Sequence, residues 1–107
     1  MKSERTSLIK ELLDNVSTCI TGYEKYAGKN VFIRTVTMAY TGKVEDVNSM
    51  CLELSSAAWI ADTGRFNAFL NDTDASDEVE PFPQNVSVGL GGIIDITIID
   101  KLQLNQK

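Results

Sequence analysis

Histidine is absent from the 107 residues, which removes the side chain most used as a general base near neutral pH and the commonest zinc ligand. No other pair of groups in the sequence has the spacing of a catalytic constellation, and the expectation is a protein that is not an enzyme and holds no cofactor. Positive charge is scarce as well: ten Lys and Arg stand against fifteen Asp and Glu, a formal charge of -5. A chain of that balance does not hold nucleic acid by bulk phosphate neutralisation, so any such contact must be local. The two cysteines, Cys19 and Cys51, lack metal-ligand spacing and read as reduced thiols in a reducing cytoplasm. No apolar run approaches the roughly 20 residues of a membrane span, and the opening MKSERTSLIKELL has no apolar core of the signal-peptide kind. A soluble cytoplasmic protein without a membrane partner is expected.

Hydrophobic residues make up 43% and charged residues 23%, the usage of an ordinary folded chain. At this length a single domain over residues 1–107 is expected, with a core small enough that oligomerisation would help it. Leu8, Ile9, Leu12, Leu13, Val16, Cys19 and Ile20 recur at helical spacing after a Ser3 N-cap, predicting a helix over about residues 4–20 that Gly22 closes. From Lys29 the period changes to two and β-branched residues dominate, so strands are predicted through Val31–Thr37 and Tyr40–Val47, with a bend at Gly42. Asn48-Ser49 reads as a tight turn into a strand at Met50–Leu54, and Ala57–Ala61 as a further strand. Arg65–Leu70 reads as a short helical turn. Residues 71–85, NDTDASDEVEPFPQN, read as a solvated acidic loop; its carboxylates lack the glycine and alternation of a calcium-binding loop. Val86–Leu90 and Ile93–Ile99 are the last two strands.

One helix followed by about five short, bent strands over about residues 29–100 suggests a small antiparallel barrel, whose closure removes exposed edges. The stretch from Gly28 to Arg34, then Tyr40-Thr41-Gly42-Lys43-Val44, then Asn48-Ser49-Met50-Cys51-Leu52-Glu53-Leu54 resembles the first motif of the Sm-like family. Val88-Gly89-Leu90-Gly91-Gly92-Ile93-Ile94 more loosely resembles its second motif. The chain is similar in particular to the divergent Sm-like proteins of marine cyanophage type, and a phage-encoded chain would act in the host cytoplasm. The resemblance implies a mainly β fold, an N-terminal α-helix with a five-stranded, strongly bent antiparallel barrel. It also implies a homo-oligomeric ring, in which the fourth strand of one subunit pairs with the fifth of the next, and binding of single-stranded RNA, or less expectedly DNA, in RNA handling. The alternative is a structural or protein-interaction ring that has lost nucleotide binding.

At the positions that match the family's uracil site stand Ser49, Cys51 and Gly91, which offer neither an aromatic ring, an amide nor a cation. A rebuilt site for single strands would draw on aromatic faces and a few cations or amides instead. The candidates are Arg34, Tyr40, Lys43, Asn48, Trp59 and Arg65, with Lys29 beside them. Each has a plainer role available: Arg34 and Lys43 as outward strand residues, Tyr40 and Trp59 as core packing with a polar tip, Asn48 as a turn former, and Arg65 as solvated loop charge.

Overall fold

The computed structural model describes residues 21–107, and the expected helix at 4–20 lies outside them. Six antiparallel strands form one open sheet: β1 (Asn30–Thr35), β2 (Ala39–Val47), β3 (Cys51–Asp62), β4 (Glu78–Pro81), β5 (Val86–Gly89) and β6 (Ile93–Ile98). The order runs β4-β3-β2-β1-β6, and β5 also pairs with β3. A short helix, α1 (Phe66–Asn71), follows β3, and 3-10 turns lie at Glu24–Tyr26, Thr73–Ala75 and Leu90–Gly92.

One strand thus serves three neighbours. β3 is 12 residues long and pairs with β2 along most of its length, with β5 through Cys51–Leu54 and with β4 through Ala58–Asp62. It can do both on its second edge because it bends. Ser56 has φ of 48°, and the register with β2 shifts between Thr41↔Ala58 and Lys43↔Ser55, the signature of a bulge that kinks a strand and increases its twist. The two strands expected at Met50–Leu54 and Ala57–Ala61 are therefore one strand, broken in hydrophobic pattern by the bulge and not in chain course. Gly42 leaves room for Leu54 of β3: a Cβ there would meet Leu54 Cβ at 3.0 Å.

Alternation of side chains divides the sheet into two faces. Val31, Ile33, Val44, Leu52, Leu54, Ala57 and Val88 form the core on the first face. On the second, Phe32, Ala58, Ile60, Val79 and Ile99 pack around Phe69 of α1. α1 is only six residues long and its N-cap residue Arg65 makes no side-chain capping bond, so packing of Phe69 rather than intrinsic propensity holds it in place.

The acidic stretch is the main departure from expectation. Residues 71–85 are not a continuous solvated loop: they include the end of α1, a 3-10 turn and β4. Val79 pairs with Ile60 and is fully buried, so one apolar residue between two glutamates suffices to seat a strand. With two of the expected runs merged into β3, β4 is the strand that the pattern did not predict. Nor does a ladder join β5 to β6, whose only connection is the 3-10 turn.

Thr41 lies beneath the second face, fully buried, and its Oγ1 has no hydrogen-bond partner among the described residues. A buried hydroxyl without a partner carries its desolvation cost uncompensated. Thr41→Val is expected to raise stability by about 1 kcal/mol in a urea denaturation; a lowered midpoint would contradict the account of this hydroxyl.

Candidate functional site

The hairpin between β2 and β3 and the turn between β5 and β6 meet at one end of the sheet. Cys51 faces Gly89 in register, and the Leu90 amide donates to the Met50 carbonyl at 2.9 Å. Ser49, Cys51 and Gly91, the positions that the sequence resemblance aligns with a uracil site, lie in or beside these two turns. Their chemistry is thin. Cys51 is a half-buried free thiol, and Ser49 is exposed. Gly91 has open space where a Cβ would stand and no positive φ, so packing does not forbid a larger side chain there.

Asn48 is committed within its own hairpin. Its Oδ1 accepts from the amides of Met50 at 2.8 Å and Cys51 at 2.9 Å, and its amide nitrogen donates to Cys51 Sγ at 3.3 Å. An Asx turn of this kind uses the side chain as a piece of backbone, leaving Oδ1 doubly engaged. Met50 beside it is largely exposed.

Arg34, Tyr40 and Trp59 lie at the opposite end, around the turn between β1 and β2. Tyr40 is in register with Ile33 and with Trp59. Its ring packs against the first core and lies 6.0 Å from the ring of Phe82, and its hydroxyl donates to Met38 Sδ at 3.3 Å. Trp59 is 38% exposed. Arg34 and Trp59 line one shallow groove with Thr35–Ala39, Ile60 and Ala61, and Val36 at its turn is 78% exposed.

The charge of Arg34 is already matched. Its Nε donates to both carboxylate oxygens of Asp95 on β6 at 2.9 Å, Nη2 reaches the same carboxylate, and the guanidinium lies 5.0 Å from the centre of the Phe66 ring. Hydrogen bonding from Arg34 holds the Asp95 carboxyl below its ordinary range, and hydrogen bonding to Asp95 raises Arg34 in turn. The pair ties β1 to β6 across the register Arg34↔Asp95, a forked geometry in which a guanidinium is held by two oxygens.

Lys43 on β2 and Arg65 before α1 are exposed and make no ion pair among the described residues. They do not join the groove lined by Arg34 and Trp59. Lys29 stands just before β1, its carbonyl accepting from the Val44 amide at 2.9 Å. Among the described residues, the one aromatic and cationic contact outside the expected set is that of Lys25, whose Nζ lies 5.3 Å from the centre of the Tyr26 ring; neither residue belongs to a periodic pattern, so alternation gave no reason to single them out. Among the described residues no group of three acidic, cysteine or histidine side chains is placed to hold a metal ion, and no helix is long and apolar enough to cross a membrane.

No family model matches the chain, and no curated protein matches its sequence. The function must therefore be argued from the sheet and its surface.

Proposed function

We propose that this chain is the subunit of a homo-oligomeric ring of the Sm-like kind, with structural or protein-interaction work as its role. The observation that supports assembly is the pair of open edges. Among the described residues β5 pairs only with β3, and β6 pairs only with β1, so each presents a backbone edge that no described strand fills, and the two are linked by the short turn Leu90–Gly92. Unpaired edges recruit further strands unless something blunts them. Here the outer strand β6 adds exposed Ile94 and Ile98, which favours a partner strand over water. An edge at each end of one subunit makes a head-to-tail contact, and such contacts close into rings when the rotation between subunits allows.

The 3-10 turn between β5 and β6 and the meeting of the two turns that carry the motif resemblance support the Sm-like reading. β4, α1 and the segment between them would then be an insertion on the second face.

The structural role is preferred over nucleic-acid binding because three of the six candidate residues are engaged internally: Arg34 by Asp95, Asn48 by its turn, and Tyr40 by Phe82 and Met38. Single-stranded RNA or DNA is the second reading, favoured by the half-open indole of Trp59 and by Lys43 and Arg65, which a ring would repeat around its axis. Titration into labelled oligo-U, oligo-A and single-stranded DNA at low and at physiological salt separates the two. The structural reading expects no saturable binding at low salt. Salt-dependent binding that weakens on Lys43→Ala or Arg65→Ala would instead establish the second.

A further inference from the structure

After Ile98 the chain leaves the sheet, and residues 99–107 run without regular secondary structure. They nevertheless follow a fixed path over the 72–80 segment. Lys101 Nζ bridges Asp72 at 3.3 Å and Asp74 at 3.1 Å. Gln103 is 4% exposed; its amide nitrogen donates to Thr73 Oγ1 and Asp74 Oδ1, both at 3.0 Å, and its Oε1 accepts from Ser76 Oγ at 3.1 Å. Thr73 Oγ1 in turn donates to the Lys101 carbonyl at 2.7 Å. At the far end, Lys107 Nζ donates to the carbonyls of Asp74 at 2.5 Å and Ser76 at 3.0 Å.

Lys107 also meets β4 through its backbone. Its amide donates to the Val79 carbonyl at 3.0 Å, and its carbonyl accepts from the Val79 amide at 3.2 Å. Backbone groups alternate sides along a strand, so the Val79 pair points away from β3 while its neighbours complete the β3 ladder. The next outward position is Pro81, which has no N–H to offer. One outward donor and acceptor on β4 thus lie between Asp77 and Pro81, and Lys107 takes both.

We propose that residues 100–107 form a releasable strap that stands in for a partner strand at the β4 edge, opening and closing without unfolding the sheet. Its grip is mostly polar. The Lys101 bridges join side chains that are each more than half exposed, 57% for Lys101 against 54% and 59% for the two aspartates, and such bridges are weak and screened by salt. Of its apolar side chains, Leu102 packs against the second core whereas Leu104 is 61% exposed. The sheet beneath is held by two apolar cores and by ladders on both sides of β1 and β3. A segment with few buried apolar contacts opens locally long before such a core does. Opened, the strap would leave Val79 able to accept another strand.

Amide hydrogen exchange on the full chain tests this residue by residue. The Val79 amide is expected to exchange at least about a hundredfold faster than those of Ile33 and Leu52. Lys101→Ala should speed Val79 by about threefold further, as should raising the salt to about 1 M, with Ile33 and Leu52 unchanged. Exchange of Val79 at the rate of Ile33 and Leu52 would overturn the proposal, because the strap would then leave only when the whole sheet unfolds. So would a fast Val79 amide indifferent to both Lys101→Ala and salt, because the clasp would then not be what closes the edge.

Discussion

Phe69→Ala is expected to lower the stability of the chain by about 3–5 kcal/mol, the cost of removing a fully enclosed aromatic ring and leaving a cavity. Phe69 has 0% exposure and packs edge-on against Phe32 with ring centres 4.8 Å apart, a geometry that adds to the area it buries. Its loss should also be felt beyond the ring itself. With no side-chain cap and only six residues, α1 has little reason to stay helical without Phe69, and the 3-10 turn that follows it anchors the strap through Asp72, Thr73 and Asp74. Chemical denaturation of Phe69→Ala beside Asn67→Ala, an exposed position on the same helix, measures the effect; the control should stay within about 0.5 kcal/mol of the parent protein. Equal midpoints for the two variants would show that the second face is not a core.

The second large effect concerns assembly rather than folding. Ile94 and Ile98 are 63% and 55% exposed on β6, and among the described residues β6 is an outer strand paired only with β1. Inward contacts of β6 with the first core come from Ile93 and Ile96. Replacing both exposed residues in Ile94→Lys with Ile98→Lys should therefore leave the fold intact while placing two cations on the edge, a substitution that natural sheets use to keep edges single. The expected result is conversion of the proposed ring to monomer with circular dichroism and denaturation midpoint close to the parent protein. Retention of the full assembly mass would mean that β6 is not the contact strand.

Much of the sheet was legible in the sequence because its strands alternate apolar and polar residues, and β1, β2, β5 and β6 fall where the alternation predicts. The bulge at Ser56 was not, since a positive φ at a serine leaves no mark in a hydrophobic pattern; it made one strand look like two. β4 was hidden for a different reason. Glu78-Val79-Glu80-Pro81 has the composition of a loop, and its tertiary partners, Ala58–Asp62 of β3 on one side and Lys107 on the other, make it a strand. The strap itself reads as a polar tail, because nothing local announces that Lys101 and Gln103 will meet Asp72, Asp74 and Thr73 about thirty positions away.

The candidate site shows the same division. That Asn48 would shape a turn follows from its place before Ser49, and its two bonds to backbone amides realise that role. The neutralisation of Arg34 depended on the pairing of β1 with β6, a long-range register that sequence spacing does not specify. Exposure of Trp59 likewise follows from its position at the end of the sheet, where β2 and β4 flank it but no residue covers its ring completely.

A ring of this chain requires that the edges of β5 and β6 be filled by other copies of it. Light scattering on the full chain over a wide range of concentration measures this directly. A ring predicts one mass, a fixed whole-number multiple of 11.8 kDa, that holds steady on dilution until it dissociates. A mass of 11.8 kDa at every concentration would contradict the ring and leave both edges to be explained some other way.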